Sequence, residues 1–414
     1  MDISNNQSTQ AGIKPISTAV KIFCCIVLFA CSVALPALTC YIGIEGVNPA
    51  IPTAISVAVM ALCLAFTLTL CKKPLFMGCA VAGVLLLVLV SPWFSVMFAA
   101  LLCGIVACAA LTADAVKGIA YLPVGIVALA SFGIAYALTR DPLLSAYALL
   151  PVVAGLALSN SYNKKHSIII SIGVATGALL TCYVVLIGAG ALIAGMPPSM
   201  QGVTDLIKSY HAAVSGIFAE SLQLMADTPE LAAQLAPMLG GEITPELITE
   251  FSDSVATAVI GMLPGVSIML AWFLCFTANR GMTALLMRGV DKKDYPVHLT
   301  AYQPSVPTAI FTILCYAALM IASFIPQGEI VVFIALNLLL ALLPMMLVCG
   351  ILSIISNVKH APVKWPMLLT YGLAIIFLGV TVVPMVAFFG SFAVITQAIA
   401  RALEKKFTDF KGGQ

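Results

Sequence analysis

The sequence predicts an all-α, polytopic transmembrane helical bundle that carries a small helical extracytoplasmic cap. Three observations predict it. Apolar residues fill 62% of the 414 positions and charged residues 9%, about a third of the charge of a soluble domain. Charge-free apolar runs recur from residue 15 to residue 400, many near the ~20 residues that a helix needs to cross a ~30 Å hydrocarbon layer. A single acidic segment, 197–252, interrupts the series. Hydrocarbon cannot hydrate backbone N–H and C=O groups, so runs of this kind must satisfy their own hydrogen bonds as helices.

The first 16 residues are a polar tail whose basic lead-in is Lys14, followed by Lys21. Leu28-Phe29-Ala30-Cys31 loosely resembles a lipoprotein processing site, but Phe29 is bulky for one, and the segment reads as a retained membrane helix. Spans are expected at about 17–41, 51–71, 75–91, 93–112, 118–138, 142–159, 167–195, 253–279, 304–325, 329–355 and 366–388. Ser91-Pro92-Trp93 supplies the reversal that separates the third from the fourth. The expected organisation is therefore a cytoplasmic tail at 1–16, an N-terminal bundle of about seven spans at 17–195, and an extracytoplasmic segment at 196–252. A C-terminal bundle of four or five spans at 253–400 and a charged tail at 401–414 complete it.

Basic residues orient the series. With the N-terminus in the cytoplasm, and the tail at 401–414 set apart, Lys14, Lys21, Lys72, Lys73, Lys117, Lys164, Lys165, Arg280, Arg288, Lys292, Lys293, Lys359 and Lys364 fall inside, and only Arg140 and Lys208 fall outside. Deleting the reversal at residue 92 would spoil that bias. The end of the chain strains it, because eleven spans put Arg401, Lys405 and Lys406 outside. The apolar stretch 386–400, with Gly390 read as a break, is either a short twelfth pass or a helix in the outer interface.

The outer segment is helical by pattern. Val203, Leu206, Ile207, Tyr210, Val214, Ile217, Phe218, Leu222 and Met225 form an apolar stripe at three- and four-residue spacing. Two further helix starts share the tetrapeptide Thr-Pro-Glu-Leu, at Thr228 and Thr244. There Thr supplies a cap oxygen, Pro takes the first helical position, and Glu meets the positive end of the helix. The stripes must pack on one another or on the membrane surface.

Several function classes fall away. No stripe of Lys and Arg is present to neutralise a nucleic-acid backbone. Most cysteines lie within apolar runs, where Cys behaves as a small hydrophobe, and no metal-ligand or cofactor motif is present. No Walker phosphate loop, His-Glu-x-x-His or Gly-x-Ser-x-Gly stands in the chain, and the expectation is a non-enzymatic protein without a cofactor.

Five residues stand out as a candidate cavity: Pro264, Gly265, Asn337, Thr176 and Tyr183. Pro264 has no N–H for the carbonyl of Ile260, and Gly265 lowers the cost of a bend and lets another helix approach. Asn337 is the one side-chain amide well inside a span, so it is the candidate polar partner; interhelical glue is its blander role. Thr176 and Tyr183 lie seven apart on one helix face, where Thr can also bond its own backbone and Tyr can simply pack.

The order of features in the second half resembles the YybS-like family of bacterial membrane proteins. The outer helical segment leads to 253–279 and a basic loop at Arg280–His298. Tyr302-Gln303-Pro304-Ser305-Val306-Pro307 follows, then Asn337–Ile355, and finally Pro384, Gly390 and Asp409-Phe410-Lys411. The N-terminal half is similar to the substrate-capturing membrane subunits of energy-coupling-factor transporters. That resemblance implies small-residue faces for a shared membrane partner, for which Ala100/Gly104 and Gly173/Gly177 are candidates. It implies a multi-pass protein of the bacterial cytoplasmic membrane that binds a small molecule, with ATP-driven work done by a separate module. The alternative is a non-catalytic interaction or assembly protein of the cell envelope. The expected partners are membrane lipids, a small-molecule substrate, and a membrane protein or ATPase module.

Overall fold

The computed structural model describes residues 92–113, 121–140, 142–228, 243–286, 304–322, 328–360 and 381–412, with a few isolated positions such as Tyr302. The spans expected at 17–41, 51–71 and 75–91 lie outside these residues but for Phe23, Cys25 to Leu28 and Ser32, which are helical. All regular elements among the described residues are helices. They are α1 Pro92–Ala113, α2 Tyr121–Thr139, α3 Pro142–Ala146, α4 Leu150–Asn163, α5 Ile168–Ile193, α6 Met200–Ala226, α7 Pro245–Leu286, α8 Val306–Ala322, α9 Glu329–His360 and α10 Val382–Gly412. Segments of α5, α7, α9 and α10 are long and apolar enough to cross a membrane.

The chain forms two compact units that interleave in sequence. One comprises residues 1–186 and 271–303, the other 187–270 and 304–414. These boundaries differ from a division at 195 and 252, because α7 begins in one unit and ends in the other.

In the first unit α1 and α4 pack backbone to backbone. A Cβ added to Gly104 would sit 2.7 Å from Pro151 Cβ, and one added to Gly155 would sit 2.7 Å from Cys108 Cβ. The two contacts share one sequence offset, so the helices run parallel, as passes separated by a single return must. Cys108, Val124 and Val152 form the core between α1, α2 and α4. The span expected at 142–159 is interrupted by a 3-10 turn at Tyr147–Leu149. Pro151 explains it: the ring removes the N–H that Tyr147 would need in an α-helix, and Leu150 N–H closes on that carbonyl instead. α4 ends with Lys165 in the left-handed region at φ 54°, with His166 N–H on Ser161 O and Lys165 N–H on Tyr162 O. That is the paired bond pattern of a Schellman cap.

In the second unit α9 and α10 cross at two glycines. An added Cβ at Gly350 would run into the backbone of Val386, and one at Gly390 into the backbones of Met346 and Gly350. Gly390 is therefore not the break expected from the sequence. α10 runs through it for 31 residues, and the absence of a side chain serves close approach instead. The stretch 386–400 lies within a longer candidate span, Val382–Glu404, and not a 15-residue one, whereas most of the span expected at 366–388 lies outside the described residues. Ala309, Leu343, Met346 and Ala387 fill the core of this crossing. Tyr316 donates its hydroxyl proton to Pro384 O at 2.7 Å.

The outer segment departs from expectation in two ways. Thr244 does cap, accepting from Leu247 N–H at 3.2 Å, but the helix it opens is not short. It is α7, 42 residues long and about 63 Å at 1.5 Å per residue. Thr228 makes no side-chain cap bond among the described residues. Its hydroxyl donates back to Leu224 O, while its carbonyl accepts from Leu231 and Ala232 N–H. The long α6 is capped by Ser199, which accepts from Gly202 N–H at 3.3 Å.

Candidate functional site

Two glycines and an amide make the most distinctive polar contact of the described bundle. On α7, Gly261 and Gly265 lie four residues apart and share a face. On α9, Phe333 and Asn337 do the same. An added Cβ at Gly261 would lie 2.7 Å from Phe333 Cε1, and one at Gly265 would lie 2.8 Å from Asn337 Cα. The equal offset makes these two helices parallel as well. Only glycine at position 265 lets the α9 backbone come this near.

Into that crossing α9 inserts the Asn337 amide. Its Oδ1 accepts from Gly265 N–H at 2.7 Å, and its Nδ2 donates to Gly261 O at 2.6 Å and to Phe333 O at 2.9 Å. In a regular helix Gly265 N–H would be directed at Gly261 O. One side chain therefore engages both halves of a single ladder pair, one residue away from the Ile260 carbonyl that sequence alone nominates. The amide's orientation follows from its partners, because a flipped Oδ1 would face two carbonyl oxygens. An amide is suited to this place: it supplies donor and acceptor together and carries no charge into the bilayer.

Pro264 stands beside this contact and turns the other way. Its ring is exposed, whereas Gly265 is buried against α9. The helix continues on both sides of the proline. Pro344, on α9, is almost fully buried.

Thr176 and Tyr183 belong to the other compact unit, and they diverge from each other. Thr176 is buried, and its Oγ1 does not bond its own helix backbone. The thiol of Cys275 is its polar neighbour. Tyr183 is 40% exposed and tilts against Tyr147 with ring centroids 6.0 Å apart. The five sequence-selected residues thus form a tight pair, Gly265 with Asn337, and three separate features.

Sequence reasoning missed Gly261 and Phe333. The signal was present as Gly261-Met262-Leu263-Pro264-Gly265, a pair of small residues four apart of the kind that lets membrane helices approach. Tyr302, quoted from the sequence only as part of a motif, is buried with its ring nearly perpendicular to those of Trp272 and Phe276, each 6.3 Å away. Of the two small-residue pairs that sequence reasoning did select, Ala100 is buried and Gly104 packs on Pro151, whereas a Cβ added at Gly173 or Gly177 would meet nothing within 4 Å among the described residues. Among the described residues no group of three His, Cys, Asp or Glu side chains is placed to hold a metal ion.

Long apolar helices, joined through glycine crossings and one neutral amide, define an all-helical membrane protein. No family model matches the chain, nor does any curated protein or solved structure. The resemblance to the YybS-like family therefore rests on the sequence features quoted for it.

Proposed function

We propose that the protein is a transporter-type component of the bacterial cytoplasmic membrane, with its N-terminus in the cytoplasm. In this reading it binds a small molecule, and a separate ATPase module does any energised work. The observation that carries the reading is the Asn337 amide set against Gly261 and Gly265. In most membrane helices the backbone is closed to ligands because every N–H and C=O is used internally. Here an N–H and a C=O next to a proline are held by a single side chain, which a ligand of similar donor and acceptor character can replace. α7 is continuous here, so the likeness to transporter sites, where helix backbone groups meet a substrate, lies in the exchangeable groups and not in a broken helix. The resemblance of the N-terminal half to energy-coupling-factor subunits points the same way.

Native mass spectrometry of the full chain in lipid nanodiscs tests it. A small molecule retained by the wild type, and reduced several-fold in Asn337→Ala but not in Gly177→Ala, is the expected result. Equal retention by Asn337→Ala, or no retained molecule at all, overturns the reading. The second reading, an envelope assembly protein, draws support from the open face at Gly173 and Gly177. Stable co-purification of one membrane protein at fixed stoichiometry, lost on Gly177→Leu and without a retained small molecule, would favour it.

A further inference from the structure

α6 presents three faces, and one of them has no partner among the described residues. The first is the contact with α7, where His211 Nε2 lies 3.0 Å from Thr257 Oγ1. Ser215 donates to Asp253, and Leu222 packs on Ile248 beside Ala226 and Ile243. As residue numbers fall along α6 they rise along α7, so the two helices are antiparallel. The second face is polar, with Asp205, Ser209, Glu220 and Gln223. The third is the first half of the apolar stripe read from the sequence, which is exposed, whereas Leu222 in its second half packs on α7. Met200 is 83% exposed, Val203 51%, Ile207 50% and Tyr210 53%.

The register on α7 says what this third face meets. α7 carries Glu246, Glu250 and Asp253 in its opening turns, then no charged residue until Arg280. That uncharged stretch is about 39 Å long, enough to cross the hydrocarbon, so its outer boundary lies near Asp253 to Thr257. His211 is level with Thr257, and Ser215 with Asp253. Residues before His211 therefore run past the boundary, towards the apolar part of α7. Val203 and Ile207 come level with positions four to eight residues beyond Thr257, or about 6–12 Å. That places them below the outer boundary, within the outer half of the ~30 Å hydrocarbon layer.

The approach from α5 agrees. α5 ends in a left-handed turn at Gly195 (φ 80°), with Met196 N–H on Ala191 O and Gly195 N–H on Leu192 O. Only residues 194–199 separate it from α6. Leu192 and Ile193, 54% and 74% exposed, continue the apolar surface up to that turn. The start of α6 is thus tethered to the end of a membrane span, with no room for a solvent-spanning linker.

We propose that the first half of α6, from Met200 to Tyr210, is immersed in the outer leaflet, with Val203, Ile207 and Tyr210 against acyl chains. In this arrangement the segment is a lipid-contacting element and not a solvent-borne cap. The inference depends on the membrane class of the protein and, for the choice of leaflet, on the proposed orientation, and not on the transport reading.

Photocrosslinking tests it directly. The photoreactive residue p-benzoylphenylalanine is placed at Ile207 or Tyr210, and at Ala212 or Gln223 on the polar side, in the full chain. Each variant is reconstituted in nanodiscs of phosphatidylethanolamine and phosphatidylglycerol and irradiated. Acyl-chain adducts at 207 and 210, at least about fivefold above those at 212 and 223, are expected. Val203 offers a third position on the same face if either variant fails to elute as a single species. Crosslinks from 207 and 210 to a second copy or to another protein overturn the proposal. So do equal labelling of both faces and an absence of lipid adducts.

Discussion

Asn337→Ala removes the amide between Gly261 and Gly265, and its consequence can be worked from the geometry. Two interhelical hydrogen bonds are lost, one from Gly265 N–H at 2.7 Å and one to Gly261 O at 2.6 Å. Polar contacts between membrane helices contribute about 0.6 kcal/mol on average and up to about 1.7, so the gross loss is about 1–3 kcal/mol. One gain offsets it. Gly265 N–H and Gly261 O are helix partners four residues apart, so each keeps a backbone partner once the amide is gone, leaving a net destabilisation of about 1–2 kcal/mol. Asn337→Asp gives the sharper contrast because it preserves shape. An ionised carboxylate keeps the acceptor for Gly265 N–H but loses the donor, and it faces the carbonyl oxygens of Gly261 and Phe333. Protonation restores a donor and removes a charge that the bilayer disfavours. The folded state of this variant therefore holds the carboxyl proton more tightly than the unfolded state does. Over the pH range in which only the folded state keeps it, stability falls as pH rises. The aspartate variant should be the least stable of the three at pH 8, and it should regain ground relative to wild type as pH falls to 5. Steric trapping in bicelles yields the free energies. Thermal midpoints from fluorescence-detected size exclusion give the ranking. Alanine and aspartate variants both within about 0.5 kcal/mol of wild type at pH 8 would refute the bridging role. An aspartate variant insensitive to pH would refute the donor argument.

Gly265→Ala should destabilise by about 1–3 kcal/mol, because its Cβ meets α9 backbone that cannot rotate away. Gly177→Ala, with nothing within 4 Å among the described residues, should be neutral or stabilising by up to about 1 kcal/mol; the same trapping measurement compares them, and equal effects would remove the close-approach account. Ser199→Ala and Thr244→Ala should each lose about 0.5–2 kcal/mol of local helix stability, seen as faster amide exchange in the first turns of α6 and α7, whereas Thr228→Ala should change the exchange of residues 229–232 little. Single cysteines placed at 164 and at 290 on a cysteine-free background should resist membrane-impermeant thiol reagents in intact cells, and labelling of both would reverse the orientation.

The class of the protein and the approximate positions of α1, α2, α5, α8 and α9 were legible in the sequence. They depend on how much charge a stretch of about 20 residues contains, and that quantity needs no knowledge of neighbours. Asn337 and Pro264-Gly265 were legible for a related reason, since an amide or a missing N–H inside an uncharged span demands an account wherever the helix ends up. What the sequence could not assign is which face of each helix meets which partner. Lipid is as apolar as a helix interface, so burial inside a membrane leaves little amphipathic trace. Hence Gly104 packs inward and Gly177 stands open although both are glycines in apolar helices. Gly390 likewise reads as a break until α9 is seen against it. α6 shows the same limit from the other side, since its apolar stripe is plain in the sequence. Only the pairing of His211 with Thr257 and of Ser215 with Asp253 shows which face packs on α7. The bridge at Gly261 and Gly265 is likewise tertiary: two helices far apart in sequence must run parallel, in register, with no side chain between them, before one amide can reach both groups.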